Sequence, residues 1–198
     1  PTSIGGLQQL AIPQGRSTTN FTAGEMRFTG EKTHVAMDGR AFFEVQLPNG
    51  ETAFTRDGEF RLDAQGQIVS KQGYPVLTEG GGPAVVDLDR SEPLSISATG
   101  EISQGQETIG ILKLTAFNDE GLLKQLGAGL FRADDPAIQP IGAAGSTVRQ
   151  GWLEGSNASV VGEMTNLMTA MRTYEANQRV IQMHDERMGK TISELSNS

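Results

Sequence analysis

The sequence contains no cysteine, no cluster of lysine and arginine, and no run of 18 apolar residues among its 198 residues. The absence of cysteine excludes disulfides, thiolate metal ligands and a cysteine nucleophile. The absence of a long apolar run predicts that no segment inserts into a membrane. No cleavable signal peptide is visible, and because the chain begins at Pro1 rather than at methionine, we expect it to be a fragment.

The charge balance excludes one class of partner. The chain carries 24 acidic and 16 basic residues, which gives a net charge of −8. Nineteen of the acidic and twelve of the basic residues precede residue 159, so the acidic excess lies mostly before the C-terminal segment. Nucleic-acid partners require clustered lysine and arginine that neutralise phosphates. We therefore expect no nucleic-acid partner.

Signatures of catalysis and of cofactor binding are also missing. Gly189-Lys190-Thr191 ends like a phosphate-binding loop, but His184 stands where that loop needs its first glycine. The other histidine, His34, falls at a predicted linker–strand junction. The carboxylates that begin at Asp57 lack the glycine and the glutamate of a calcium-binding loop. We predict no enzyme, no metal site, no cofactor and no small-molecule substrate.

Residues 33–150 have the pattern of an antiparallel β domain. Short segments rich in β-branched and aromatic residues alternate with glycine-containing turns. We predict strands over 35–39, 41–47, 52–56, 59–63, 67–70, 74–77, 84–88, 94–97, 101–103, 108–118 and 148–153. Asn49-Gly50 predicts a two-residue hairpin turn, and Asp57-Gly58 predicts another hairpin. Segment 122–131 is ambiguous, and 133–147 is predicted to be a loop.

The last forty residues, 159–198, show a different pattern. From Val160 onward, mostly apolar residues recur in alternating steps of four and three, the 3.5-residue repeat of a helix that packs along a partner helix. Nine of the eleven repeat positions are apolar or aromatic, and the segment contains no proline. A helix of this length extends about 60 Å. We name the repeat positions the heptad seam: Val160, Met164, Leu167, Met171, Tyr174, Gln178, Ile181, Asp185, Met188, Ile192 and Leu195.

The heptad seam needs a partner that residues 1–158 do not supply, because they contain no second sustained repeat. The partner helix comes from another chain or from residues outside this sequence; alternatively, the helix folds back on its own β domain. Without a partner helix, we expect it to be poorly ordered in solution or paired with another copy. The polar positions Gln178 and Asp185 either fix the register at a cost in stability or face solvent.

The sequence thus predicts a mainly β fold with α, divided into three parts. Residues 1–32 form an extended linker, although their polar composition is also that of a disordered segment. Residues 33–150 form an antiparallel β domain of short strands. Residues 151–198 form a helical assembly segment with one long, coiled-coil-type C-terminal helix.

Two blocks of residues carry a family resemblance. The first block is Met37-Asp38-Gly39-Arg40-Ala41-Phe42-Phe43-Glu44-Val45, followed by Thr55-Arg56-Asp57-Gly58-Glu59-Phe60 and Asp63-Ala64-Gln65-Gly66. The second block is Gly151-Trp152-Leu153-Glu154-Gly155-Ser156-Asn157, followed by Arg172-Thr173-Tyr174-Glu175-Ala176-Asn177. Together they resemble the conserved motifs of the flagellar basal-body rod and hook proteins. Arg40-Ala41, Ala158 and Gly162 depart from the family pattern.

The resemblance implies a function that the residues alone do not. In this family an N-terminal helix packs with the C-terminal helix to form the inner tube of the rod, and the β domain faces outward. Such proteins pass unfolded through the flagellar type III export apparatus without a cleaved signal peptide. The implied partners are copies of the chain and other rod or hook subunits. The implied location is the flagellar basal body in the cell envelope and periplasm.

The resemblance leaves the position within the flagellum open. The implied length suits a rod subunit better than the longer hook subunit. The residues around Leu153 and Val180 favour the proximal over the distal rod. The alternatives are a hook-type subunit and, from a different class, a β-domain adhesin or binding module with a helical stalk.

Overall fold

The computed structural model describes residues 19–157 and 160–196 of the chain. Within these residues, short β-strands are followed by one long α-helix, α1 (Val160–Ser196). The strands are β1 (Met26–Phe28), β2 (Val35–Asp38), β3 (Phe42–Gln46), β4 (Thr52–Thr55), β5 (Arg61–Leu62), β6 (Ile68–Val69), β7 (Leu94–Ile96), β8 (Glu101–Gln104), β9 (Glu107–Ile111), β10 (Leu114–Phe117), β11 (Lys124–Gly127), β12 (Leu130–Arg132), β13 (Pro140–Gly142), β14 (Thr147–Gln150) and β15 (Trp152–Glu154). A 3₁₀ turn, Glu120–Leu122, lies between β10 and β11.

The strands pair in antiparallel fashion throughout the described residues. The largest sheet has six strands in the order β11-β12-β4-β3-β10-β13, and a second sheet has the order β7-β8-β9. Three two-stranded ribbons, β1-β15, β2-β14 and β5-β6, complete the domain. The predicted class, mainly β and antiparallel with a C-terminal helix, is confirmed. Pairing of the helix as a coiled coil stays a prediction.

Strand β3 organises the interior because its successive side chains point to opposite faces of the sheet. Phe43 packs into the main core, with its ring centroid 5.0 Å from that of Phe60. Phe42 packs into a second, aromatic core, with its ring 5.8 Å from that of Phe117. Both β3 phenylalanines are fully buried. Full burial of such a side chain stabilises the fold by about 1.5–3 kcal/mol, so β3 anchors both cores.

The turn between β3 and β4 differs from the predicted two-residue hairpin. Leu47 donates its N–H to the carbonyl of Glu51 (2.8 Å), and Gly50 donates to the carbonyl of Leu47 (2.9 Å). The connection is therefore a three-residue loop, in which Gly50 has φ +83°. Pro48 favours the first central position of an ordinary turn, which shifts the left-handed conformation from Asn49 to Gly50.

The hairpin predicted at Asp57-Gly58 is wrong. Within the described residues, strand β4 pairs with β3 and β12, whereas β5 pairs with β6 alone. Instead, Gly58 lies where two backbone segments come close together. Its carbonyl accepts the N–H of Val35 at 3.0 Å. A Cβ at Gly58 would lie 1.7 Å from the carbonyl oxygen of Val35.

The longest predicted strand, 108–118, is broken into β9 and β10. Strand β9 pairs with β8, while β10 pairs with β3 and β13 in the six-stranded sheet. At the break, Leu112 donates its N–H to Gly100 and Lys113 donates its N–H to Leu77. The chain changes sheet here because its two halves have different hydrogen-bonding partners.

Other boundaries also differ from the predictions. The ambiguous segment 122–131 forms most of a hairpin of β11 and β12, and the predicted loop 133–147 contains β13. The strand predicted over 148–153 is interrupted by Gly151, whose φ is +79°. The predicted strands 74–77 and 84–88 are reduced to isolated bridges such as Val45 with Val76.

The chain divides into two compact units, residues up to Gly155 and residues from Ser156 onward. Strand β15 lies in the first unit. The predicted domain limits, 33–150 for the β domain and 151–198 for the helical assembly segment, stay a prediction. Residues 1–18 of the predicted linker lie outside the described residues, and β1 lies in its remaining part. Helix α1 has 37 residues. Within the described residues, no helix combines the length and apolar character that crossing a membrane requires.

Candidate assembly interface

The described part of the heptad seam is exposed to solvent along α1. Six of its apolar and aromatic side chains are between 57% and 65% exposed: Met164, Leu167, Met171, Tyr174, Ile181 and Met188. Each such side chain would contribute about 1.5–3 kcal/mol if it were fully buried. A row of exposed apolar side chains along one side of a helix is typical of a binding surface.

Four seam positions cannot be assessed in the same way. The backbone of α1 includes Val160, Asp185, Ile192 and Leu195, but their side chains lie outside the described part of the structure. The role of these four residues in an interface stays a prediction, as does that of the seam as a whole.

The polar seam residue Gln178 is hydrogen-bonded within the seam itself. Its Nε2 donates to the phenolic oxygen of Tyr174 at 2.9 Å, one helical turn away. Burying a polar group costs much less when that group already has a hydrogen-bond partner. This contact allows Gln178 to enter an interface, although it does not distinguish a register-fixing role from a solvent-facing one.

Sequence reasoning missed the contacts that β15, the last strand before α1, makes with other parts of the β unit. In the β1-β15 ribbon, Phe28 packs against Trp152 with ring centroids 5.2 Å apart. The Nε of Arg56 lies 3.0 Å from Oε2 of Glu154, and both side chains are largely buried, at 13% and 10% exposure. Oε1 of Glu154 accepts the N–H of Gly24 at 2.9 Å. These contacts join the two sequence blocks that carry the family resemblance.

We predict that Arg56→Ala destabilises the β unit strongly. The substitution leaves the carboxylate of Glu154 buried without its cationic partner, and breaking a buried ion pair in this way costs about 3 kcal/mol or more. Urea denaturation followed by tryptophan fluorescence measures the loss, because Trp152 lies two residues from Glu154 in the sequence.

The matched control is Lys71→Ala. Lys71 Nζ lies 2.8 Å from Oε2 of Glu59, but both side chains are exposed. The hydrogen bond from Lys71 lowers the pKa of Glu59, yet exposed pairs contribute little because water screens them. We expect no measurable change in the urea midpoint for this variant. Similar losses in both variants would contradict the assigned role of Arg56.

The chemistry of the described residues offers no metal centre. No group of three or more histidine or acidic side chains is placed to hold a metal ion in the part of the chain that the structure describes. His34 bonds to the hydroxyl of Thr29 through Nδ1 at 3.0 Å. His184 lies on α1. The heptad seam is the candidate functional surface because its described apolar side chains are exposed.

The described residues combine an antiparallel β unit with a long helix that has exposed apolar side chains. Comparison with known proteins identifies the class of protein to which this arrangement belongs. A family model described as the flagellar hook protein FlgE/F/G D1 domain matches residues 36–104. A second, described as the flagellar basal body rod FlgEFG protein C-terminal, matches residues 149–194 and so includes most of α1.

Several curated proteins are similar over most of the chain. The flagellar basal-body rod protein FlgG of Buchnera aphidicola subsp. Acyrthosiphon pisum is 36% identical over 185 residues, covering 88% of this chain and 69% of the relative. FlgF of Caulobacter vibrioides is 37% identical over 158 residues, covering 79% of this chain and 63% of the relative. FlgG of Bacillus subtilis is 30% identical, covering 96% and 77%.

The chain belongs to the flagellar basal-body rod protein family. The resemblance expected from the two sequence blocks is thereby confirmed, and the matched segments include both blocks. This family is a structural one and not an enzyme family.

Proposed function

We propose that this chain is the greater part of a structural subunit of the bacterial flagellar rod. It assembles helically with copies of itself and with other rod or hook subunits, and the rod transmits torque across the cell envelope. The exposed heptad seam of α1 carries this proposal, because its apolar side chains lie in water within a segment that matches the family's C-terminal model.

The seam partner is a helix outside this chain. The match covers 69% of the Buchnera relative, so about a third of that relative lies outside the match. The family resemblance implies an N-terminal helix in this remainder, which pairs with α1 along the heptad seam. The export route, through the flagellar type III apparatus without a cleaved signal peptide, and the location in the basal body and periplasm belong to the same proposal.

The hook-type alternative differs from the rod proposal in where the subunit lies within the flagellum. The FlgG relatives from Buchnera aphidicola and Bacillus subtilis are both named as flagellar basal-body rod proteins, which favours the rod. The adhesin alternative loses its support because the chain belongs to the rod family. The residues around Leu153 and Val180 favour the proximal over the distal rod, and this stays a prediction.

Gold labelling of isolated hook–basal bodies tests the proposed location. Because the chain contains no cysteine, Ser91→Cys in the exposed loop before β7 gives this part of the full-length protein one thiol for maleimide-linked gold. We expect gold along the rod. Gold along the hook favours the alternative, and the complete absence of the chain from motile cells' basal bodies contradicts both. The unsubstituted protein, treated identically, measures background labelling.

A further inference from the structure

The methionines of the chain are concentrated on α1. Five of the seven in the sequence lie on this helix, and each is between 55% and 65% exposed: Met164, Met168, Met171, Met183 and Met188. In the β unit, Met26 is half-buried and Met37 is fully buried. Folded proteins usually bury methionine, so the methionines of α1 are unusually accessible to small reagents in water.

Three of these methionines belong to the heptad seam. Met164, Met171 and Met188 make up half of its six exposed apolar and aromatic side chains. Met168 and Met183 are similarly exposed but do not occupy seam positions. Helix α1 therefore carries one set of exposed thioethers inside the seam and a second set outside it, and the effects of the two sets can be separated.

Methionine thioethers are the only sulfur atoms of the chain, because the sequence contains no cysteine. With hydrogen peroxide, the lone pair of Sδ attacks one peroxide oxygen. An S–O bond forms, the O–O bond breaks, and the second oxygen leaves as water. The sulfur loses two electrons and the peroxide gains them, so the products are methionine sulfoxide and one water. Exposed methionines are the most susceptible, which places those of α1 ahead of Met37.

We propose that Met164, Met171 and Met188 are a site of reversible oxidation by peroxide, and that their sulfoxides prevent the heptad seam from pairing. This inference rests on the proposed function, in which the seam pairs with a helix outside this chain. A sulfoxide oxygen is a polar acceptor, and burying it in an apolar seam without a donor costs free energy. The unpaired chain is therefore sensitive to peroxide, whereas a paired seam shields the same three sulfur atoms. Methionine sulfoxide reductases reverse the oxidation.

Two leucine variants separate the seam methionines from the others. The test variant carries Met164→Leu, Met171→Leu and Met188→Leu, and the matched control carries Met168→Leu and Met183→Leu. Leucine has no sulfur and is similar to methionine in volume and helix propensity. Each chain is treated with hydrogen peroxide, and tandem mass spectrometry of its peptides locates the sulfoxides. Binding of a synthetic peptide with the N-terminal helix of the full-length protein is measured before and after treatment, so that each chain is compared with itself.

We expect peroxide to weaken peptide binding by at least about tenfold in the unsubstituted chain and in the control, because both form sulfoxides within the seam. Binding by the test variant should change by no more than about twofold, since leucine cannot form a sulfoxide. Methionine sulfoxide reductases should restore binding by the unsubstituted chain. Peptide bound before the treatment should protect the three seam methionines but not Met168 and Met183.

Three results would overturn the inference and leave the pairing of the seam intact. They are the absence of sulfoxide at the three seam methionines, unchanged binding by the oxidised unsubstituted chain, and an equal loss of binding in the test variant. If the untreated, unsubstituted chain does not bind the peptide, the proposed function fails, and this inference fails with it.

Discussion

Met171→Lys in the full-length protein is expected to abolish rod assembly and swimming. Met171 lies in the middle of the heptad seam and is 57% exposed in the chain alone. In the paired helix its burial contributes about 1.5–3 kcal/mol, and lysine both removes that term and introduces a charge into an apolar interface. A loss of this size weakens pairing by at least about tenfold to a hundredfold. Soft-agar motility and electron microscopy of basal bodies measure the result.

Met168→Lys is the control for this prediction. Met168 is a methionine of similar exposure, three residues away, but helical spacing places it on the side of α1 that carries Arg172 and Glu175. Swimming should persist in this variant. Equal loss of motility in both variants would mean that lysine disturbs the helix or its export in general, and the heptad seam would lose its assigned role.

Gly58→Ala is expected to cause the largest loss of stability in the β unit. The added Cβ would lie 1.7 Å from the carbonyl oxygen of Val35, and backbone atoms cannot move aside as a flexible side chain can. Strand β2 would have to shift, which weakens the hydrogen bond from Val35 to Gly58 and disturbs a fully buried part of the core. We expect a loss of about 3 kcal/mol or more, at the upper end of overpacking effects.

The matched control is Gly142→Ala in the edge strand β13. No atom lies within 4 Å of a Cβ placed there, and the residue does not have a positive φ. Its stability should remain within about 0.5 kcal/mol of the native value, as for surface substitutions without a special role. Calorimetry of both variants measures the difference. A stable Gly58→Ala domain would show that the close approach to Val35 is not required.

The elements with local sequence patterns could be predicted. The heptad repeat alone gave the limits of α1 to within about two residues, because helical periodicity is contained in neighbouring residues. Short segments rich in β-branched and aromatic residues between glycine-containing turns located β3, β4, β7 and β8 in the same way. Pairing could not be predicted, since the partners of β1 and β15 are separated by more than 120 residues.

The failures have particular physical causes. Gly58 and Gly50 look alike in sequence, but one permits a close backbone contact and the other a left-handed conformation. The break between β9 and β10 depends on hydrogen bonds to the carbonyls of Gly100 and Leu77. Both carbonyls lie outside segment 108–118, so the sequence of that segment does not reveal them.

The candidate site, like the fold, could be predicted only where the pattern is local in sequence. The seam positions follow from spacing, and the structure places the described ones on one exposed side of α1. The ion pair of Arg56 with Glu154 joins residues 98 positions apart. Only the family resemblance drew attention to both, and it did not indicate that they meet.

Oligomeric state and helix content, measured with and without the N-terminal helical segment of the full-length protein, test the central claim most directly. Circular dichroism and sedimentation velocity are recorded on the 198-residue chain before and after a synthetic peptide of that segment is added. Our account predicts that α1 is poorly ordered or self-paired without the peptide, and that the peptide raises helicity and drives formation of elongated particles. A fully ordered, helical monomer that ignores the peptide would contradict it, because the heptad seam would then be covered by the chain's own β unit.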